Sequence, residues 1–138
     1  MKKIIYIGGS MHFAKEMIET KEYFENLGYE ALIPADVNEC VVNPELNMDL
    51  EHCEKFDIMR DSMDKLARSD VFLVLNHPKN GEEGYIGGAV LIELGLAYFL
   101  KKKIYLLHQP QPKEKIRYTQ EVLHMKPVIL DGDLSKII

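Results

Sequence analysis

One carboxylate stands out by its neighbours. Glu93 sits in Ala89-Val90-Leu91-Ile92-Glu93-Leu94-Gly95-Leu96-Ala97, where every neighbour is apolar or small. A charge on so apolar a helix must face a cleft, find a partner, or cost stability through desolvation. Burial also raises a carboxyl's pKa, as acid–base and nucleophilic sites often require. The plainer alternative is that Glu93 caps a loop or faces solvent. A second polar group interrupts an apolar strand: Tyr6, in Lys3-Ile4-Ile5-Tyr6-Ile7. It is either a core tyrosine with its hydroxyl satisfied, or a strand-end hydroxyl that donates to Glu93. Gly8-Gly9-Ser10 follows that strand and precedes a helix, where backbone amides can approach an anion or a sugar oxygen. This turn lacks both the GxGxxG fingerprint and a Walker lysine, so packing alone also explains it.

Other polar residues fall in loops at the same expected edge. His12, His77 and His108 each read as surface histidines or as ligand contacts. Asn76 joins His77 after the third strand, and Gly87-Gly88 opens the helix that carries Glu93. His52-Cys53 lacks metal-ligand spacing, so no zinc site is expected there and no metal is assigned. Phe56, Met59, Met63 and Leu66 form a helical apolar stripe that reads as core.

These residues need elements to position them. Lys3 to Ile7, Tyr29 to Ile33, Val71 to Leu75, Ile104 to Leu107 and Val128 to Leu130 read as strands. Val71 to Leu75 is apolar on both faces and therefore central in a parallel sheet. Helices are expected over Phe13 to Leu27, Asp49 to Arg68, Ile86 to Leu100 and Lys115 to Met125. Gly28 stands where a left-handed C-cap belongs, and Lys101-Lys102-Lys103 suits a helix C-terminus. Residues 35–48 read as an irregular connection or a pocket-covering loop. Strand–helix alternation predicts an α/β fold: one doubly wound, flavodoxin-like, five-stranded parallel sheet of order 2-1-3-4-5. Ligands bind beyond the carboxyl ends of such strands, where the first and third are neighbours. That places the turn at 8–10 beside Asn76-His77.

Composition narrows the partners. A chain of 138 residues, 46% hydrophobic and 28% charged, fits a single globular domain over 1–138. The net charge of -5 argues against nucleic acid or an anionic membrane surface, which would reward a basic face. Two cysteines make no disulfide framework. No signal peptide or long apolar span is read, so a cytoplasmic protein is expected.

The residues also resemble a family. Tyr6-Ile7-Gly8-Gly9-Ser10 is similar to the opening of the nucleoside 2-deoxyribosyltransferase superfamily, which includes deoxynucleoside monophosphate N-glycosidases with a Tyr-x-x-Gly-Ser strand end. Ser69-Asp70-Val71 through Leu75 resembles its third strand. Glu93-Leu94-Gly95-Leu96-Ala97 resembles its Glu-(Leu/Ile)-Gly-x-Ala segment, and Lys103-Ile104 the start of its fourth strand. By that resemblance Glu93 is the nucleophile at the anomeric carbon and Tyr6 hydrogen-bonds it. Gly9 and Ser10 lie near a 5'-phosphate, and the partner is a nucleoside or nucleotide. A homodimer or larger homo-oligomer is implied, and no cofactor. The family carries an acid–base aspartate where this chain has Ser62, flanked by Asp61 and Asp64. A shift of one residue turns a side chain by about 100° around a helix. The Asp-x-Gly-Thr that often precedes the glutamate is replaced by Ile86-Gly87-Gly88-Ala89-Val90.

The leading expectation is cleavage or transfer of the N-glycosidic bond of a deoxynucleoside or its 5'-monophosphate. Glu93 is the nucleophile, Tyr6 its orienter, and Asp61 or Asp64 the proton donor. Gly8, Gly9, Ser10, His12, Asn76, His77, Gly87 and Gly88 are the substrate contacts. The rival is a non-catalytic nucleotide-binding or sensing module on the same fold, favoured if Ser62 truly occupies the acid position. A flavin carrier is disfavoured: the first loop lacks a Ser/Thr-rich phosphate cradle, and no tryptophan can stack on the ring.

Overall fold

Five parallel strands form one sheet in the order β2-β1-β3-β4-β5 in a computed structural model that describes residues 2–137. They are β1 (Ile4–Gly8), β2 (Glu30–Leu32), β3 (Val71–Val74), β4 (Lys103–Leu106) and β5 (Val128–Ile129). The expected doubly wound architecture and strand order are what the chain adopts. Every β3 residue is buried, as a strand covered on both faces requires. Tyr6 pairs with Phe72 and Gly8 with Val74, so β1 and β3 end side by side.

Strand alternation separates two cores. Ile5, Ile7, Leu73 and Tyr105 point to one face and pack with α1 (Ala14–Asn26), through Ala14, Met17 and Phe24. Tyr6, Phe72, Val74 and Leu106 point to the other. There α5 (Gly88–Phe99) buries Val90, Leu94 and Ala97, a stripe at helical spacing. Glu93 lies beside that stripe, one residue before Leu94. Helix α1 stops at a left-handed Gly28, φ 94°, as its sequence position predicts.

The region between β2 and β3 departs from expectation. Residues 35–48 are not irregular: they form a short helix α2 (Val37–Val42) and a 3-10 turn, Pro44–Met48. The single helix expected over 49–68 is two, α3 (Leu50–Phe56) and α4 (Ile58–Ala67), broken at Asp57 with φ 44° and ψ 54°. Asp is one of the few residues that tolerates this left-handed conformation. Near the C-terminus, α6 spans only Thr119–His124, and residues 113–115 and 117–118, which follow Pro112, are turns.

The ends of β3 and β4 are tied by a residue first read as a ligand contact. Asn76 is fully buried; its Nδ2 donates to the His108 carbonyl at 2.7 Å, and its Oδ1 accepts from the His108 amide at 2.9 Å. Asn76→Ala leaves two backbone groups without partners. The expected loss is about 2–4 kcal/mol, read as a lower urea midpoint with an unchanged slope.

Candidate active site

Glu93 and Tyr6 meet. The Tyr6 hydroxyl donates to Glu93 Oε2 at 3.1 Å, across 87 positions of sequence. The Tyr6 ring is fixed by stacking on Phe72, with centroids 5.6 Å apart. Burial, with the Glu93 charge adding to it, pushes the Tyr6 hydroxyl well above its ordinary pKa, so it stays a donor. Burial raises the Glu93 carboxyl to about 7, and the Tyr6 hydrogen bond pulls it back only in part. A carboxyl poised near neutrality on an apolar wall is the chemistry its sequence neighbourhood called for.

The pair opens onto a cavity of about 200 Å³ at the carboxyl edge of the sheet. Gly9 and Ser10 form one wall and Gly87, Gly88 and Ala89, the first turn of α5, another. Gly9 has φ 151°, and a Cβ there would stand 2.8 Å from the Leu75 carbonyl, so only glycine lets β1 and β3 end this close together. The amides of Gly9 and Ser10 donate to no described protein acceptor. Gly87, at the N-cap of α5, offers no side chain to cap it. Both turns that line the cavity thus carry backbone amides without a protein acceptor among the described residues.

Helix α4 supplies the third wall. Ser62 lines the cavity and sits beside the Tyr6 hydroxyl. Its acidic neighbours do not line it. Asp61 turns to Lys65, at 2.8 Å, and Asp64 is exposed. Neither expected proton donor is on the cavity wall, since positions 61 and 64 leave the helix at other angles than 62; the Asp61 charge nevertheless reaches the Tyr6 hydroxyl, and its Oδ2 is buried. Half of the stripe read as core is cavity wall: Met59 is 48% exposed, Met59 and Met63 line the opening, and of the stripe only Leu66 is buried.

Among the other expected contacts, Gly8 packs against Phe72 and Tyr6 rather than lining the cavity. His77 lies outside the cavity lining, edge-on to Phe13 and His108. His12 is also off the wall but touches it through Ser10: its Nδ1 is 3.3 Å from Ser10 Oγ, and its Nε2 is 3.4 Å from Glu45.

Lys79, Asp36 and Asn47 are among the lining residues that the sequence reading did not single out. Lys79 is the one lysine or arginine among the described residues that line the cavity. A two-residue turn, Asn80-Gly81 with both φ values positive, presents it above the Tyr85 ring at 4.6 Å. The Asn-Gly pair was the available signal. Asp36 and Asn47 come from the segment read as irregular; each keeps a buried side-chain oxygen without a partner. Nothing local in the sequence marks them. No described helix is long and apolar enough to cross a membrane.

No family model matches the chain, and no curated protein matches it. Among solved structures the chain is similar to the Clostridium botulinum CMP N-glycosidase BcmB, at 23% identity and a TM-score of 0.49, over 92% of this chain and 84% of that one.

Proposed function

We propose that this protein cleaves or transfers the N-glycosidic bond of a deoxynucleoside or deoxynucleoside 5'-monophosphate, with Glu93 as nucleophile. The observation that carries the reading is the 3.1 Å Tyr6–Glu93 hydrogen bond in the wall of a cavity flanked by backbone donors. The motifs that resemble the deoxyribosyltransferase superfamily support it. Ionised Glu93 attacks the anomeric carbon as the bond to the base breaks, giving a glycosyl ester. Tyr6 holds the carboxylate in line. Sugar hydroxyls or a 5'-phosphate take the amides of Gly9 and Ser10, the open turn at Gly87-Gly88, and Lys79. Ser62 carries no proton of carboxylic strength, so the departing base takes its proton from water. Water or a second base then opens the ester.

A second reading, binding without turnover, is favoured by Ser62 standing where the resembled family has its acid. One experiment separates them: incubation with a panel of deoxynucleosides and their monophosphates, with free base measured by chromatography. Base released in proportion to enzyme supports catalysis. Saturable binding with no base above background leaves the binding module, and neither result with any nucleotide rejects both.

The resemblance also implies a homo-oligomer. Exposed apolar residues support it: Met59 and Ile92 at the cavity rim, and Phe99 two turns beyond Ile92, at 79% exposure. A dimer or larger is expected in sedimentation velocity; a monomer at micromolar concentration removes this part.

A further inference from the structure

We propose that Asp36, Cys40 and His52 form a binding site for a divalent transition-metal ion of the zinc type, independent of the chemistry at Glu93. Asp36 stands at the N-cap of α2, where its carboxylate would ordinarily accept from the first helical amides. It makes no such bond. The side chain turns instead toward Cys40, one helical turn on, and His52 of α3. Cys40 Sγ lies 3.3 Å, and His52 Nε2 2.9 Å, from the same oxygen, Asp36 Oδ2. The ligating atoms of all three residues fall within 4.8 Å of one another. Ligands around tetrahedral zinc stand roughly 3.3–3.8 Å apart at its usual bond lengths.

Burial supports the site. Asp36 is 0% exposed and Cys40 1%, and the His52 side chain retains only 9%. Asp36 Oδ1 is buried with no hydrogen-bond partner, an orphan that a hydrogen-bonded network alone does not explain. Thiolate, imidazole and carboxylate together suit a borderline-soft ion better than magnesium or calcium. Cys53, the sequence neighbour of His52, is no part of the set; its Sγ faces the Leu46 and Asn47 carbonyls.

In this structure the Cys40 thiol keeps its proton and donates it to Asp36 Oδ2 at 3.3 Å. Binding replaces that proton with the metal and releases it to solvent. The imidazole would coordinate through Nε2, and the hydrogen that now bridges Nε2 and Asp36 Oδ2 would pass to Nδ1 or to solvent. A divalent charge then balances the thiolate and the carboxylate. The ion would pin α2 to α3 and fix Asp36, which also lines the ligand cavity.

The test uses untagged, chelator-treated full-length protein. Zinc chloride titrated calorimetrically is expected to bind at one ion per chain. Cobalt chloride is expected to give the near-ultraviolet thiolate-to-metal absorption. Cys40→Ser loses that absorption and Cys53→Ser keeps it. His52→Ala weakens zinc by roughly tenfold or more. Zinc raises the wild-type Tm but not that of the variants lacking a ligand. If Cys40→Ser fails to fold, His52→Ala and Asp36→Asn carry the same comparison. Absence of saturable zinc uptake overturns the proposal. So does cobalt absorption that survives Cys40→Ser or disappears with Cys53→Ser.

Discussion

Glu93→Gln should abolish base release while leaving the fold and nucleotide affinity close to wild type. The amide has the shape of the carboxyl, and its carbonyl oxygen can accept the Tyr6 hydroxyl that now bonds Glu93 Oε2 at 3.1 Å. The contacts proposed for substrate at Gly9, Ser10 and the first turn of α5 are untouched. What is lost is the electron pair that forms the glycosyl ester, because an amide oxygen is too weak a nucleophile. Removal of a covalent nucleophile lowers the chemical step by about 10³-fold or more. Single-turnover base release, set beside a calorimetric nucleotide affinity, reads both quantities. A variant that still releases base at near the wild-type rate would show that the nucleophile is another group.

Activity and stability should respond to pH in opposite directions, and through the same group. As the proposed nucleophile, Glu93 has to be ionised to attack, and burial puts its carboxyl at about 7. The acidic limb of kcat/KM is therefore expected to fall about tenfold per pH unit below neutrality. Tyr6→Phe removes the hydrogen bond that favours the carboxylate, so its limb moves to higher pH. Stability runs the other way. Unfolded, Glu93 titrates near its ordinary 4.5. Between there and 7 the folded chain keeps a proton that the unfolded chain loses, so stability declines as pH rises. Above 7 the full penalty is present, at most about 3 kcal/mol. Glu93→Gln does not titrate. It should match wild type near pH 4 and exceed it in urea midpoint near pH 8. A stability difference that grows toward acid would contradict a desolvated carboxyl at this position.

Much of this was legible in the chain itself. The apolar run Val71 to Leu75 specified a strand covered on both faces. Regular alternation with helices then left few topologies for a parallel sheet. Glu93 and Tyr6 were conspicuous because each is a polar group in an apolar setting, and burial obliges such groups to find partners. Their meeting follows from topology: β1 borders β3, and the helix after β3 crosses the face to which Tyr6 points. Asn76 was legible as a polar residue at the end of the third strand but not in its role. The loop-end position that invites a ligand is also the one that ties β3 to the backbone at His108.

Residues 35–68 were decided by tertiary structure. Neither glycine nor proline marks the break at Asp57, so the helical period ran through it unnoticed. That break fixes which residues of α4 face the cavity. Ser62, Met59 and Met63 line it while Asp61 and Asp64 do not. Asp36, Cys40 and His52 share no sequence spacing that announces a site, because a cluster drawn from two short helices depends on how those helices pack. Local pattern reports which groups are polar and which faces are apolar, since those follow from residue type and period. It does not report which polar group lies across from which, because packing sets that distance.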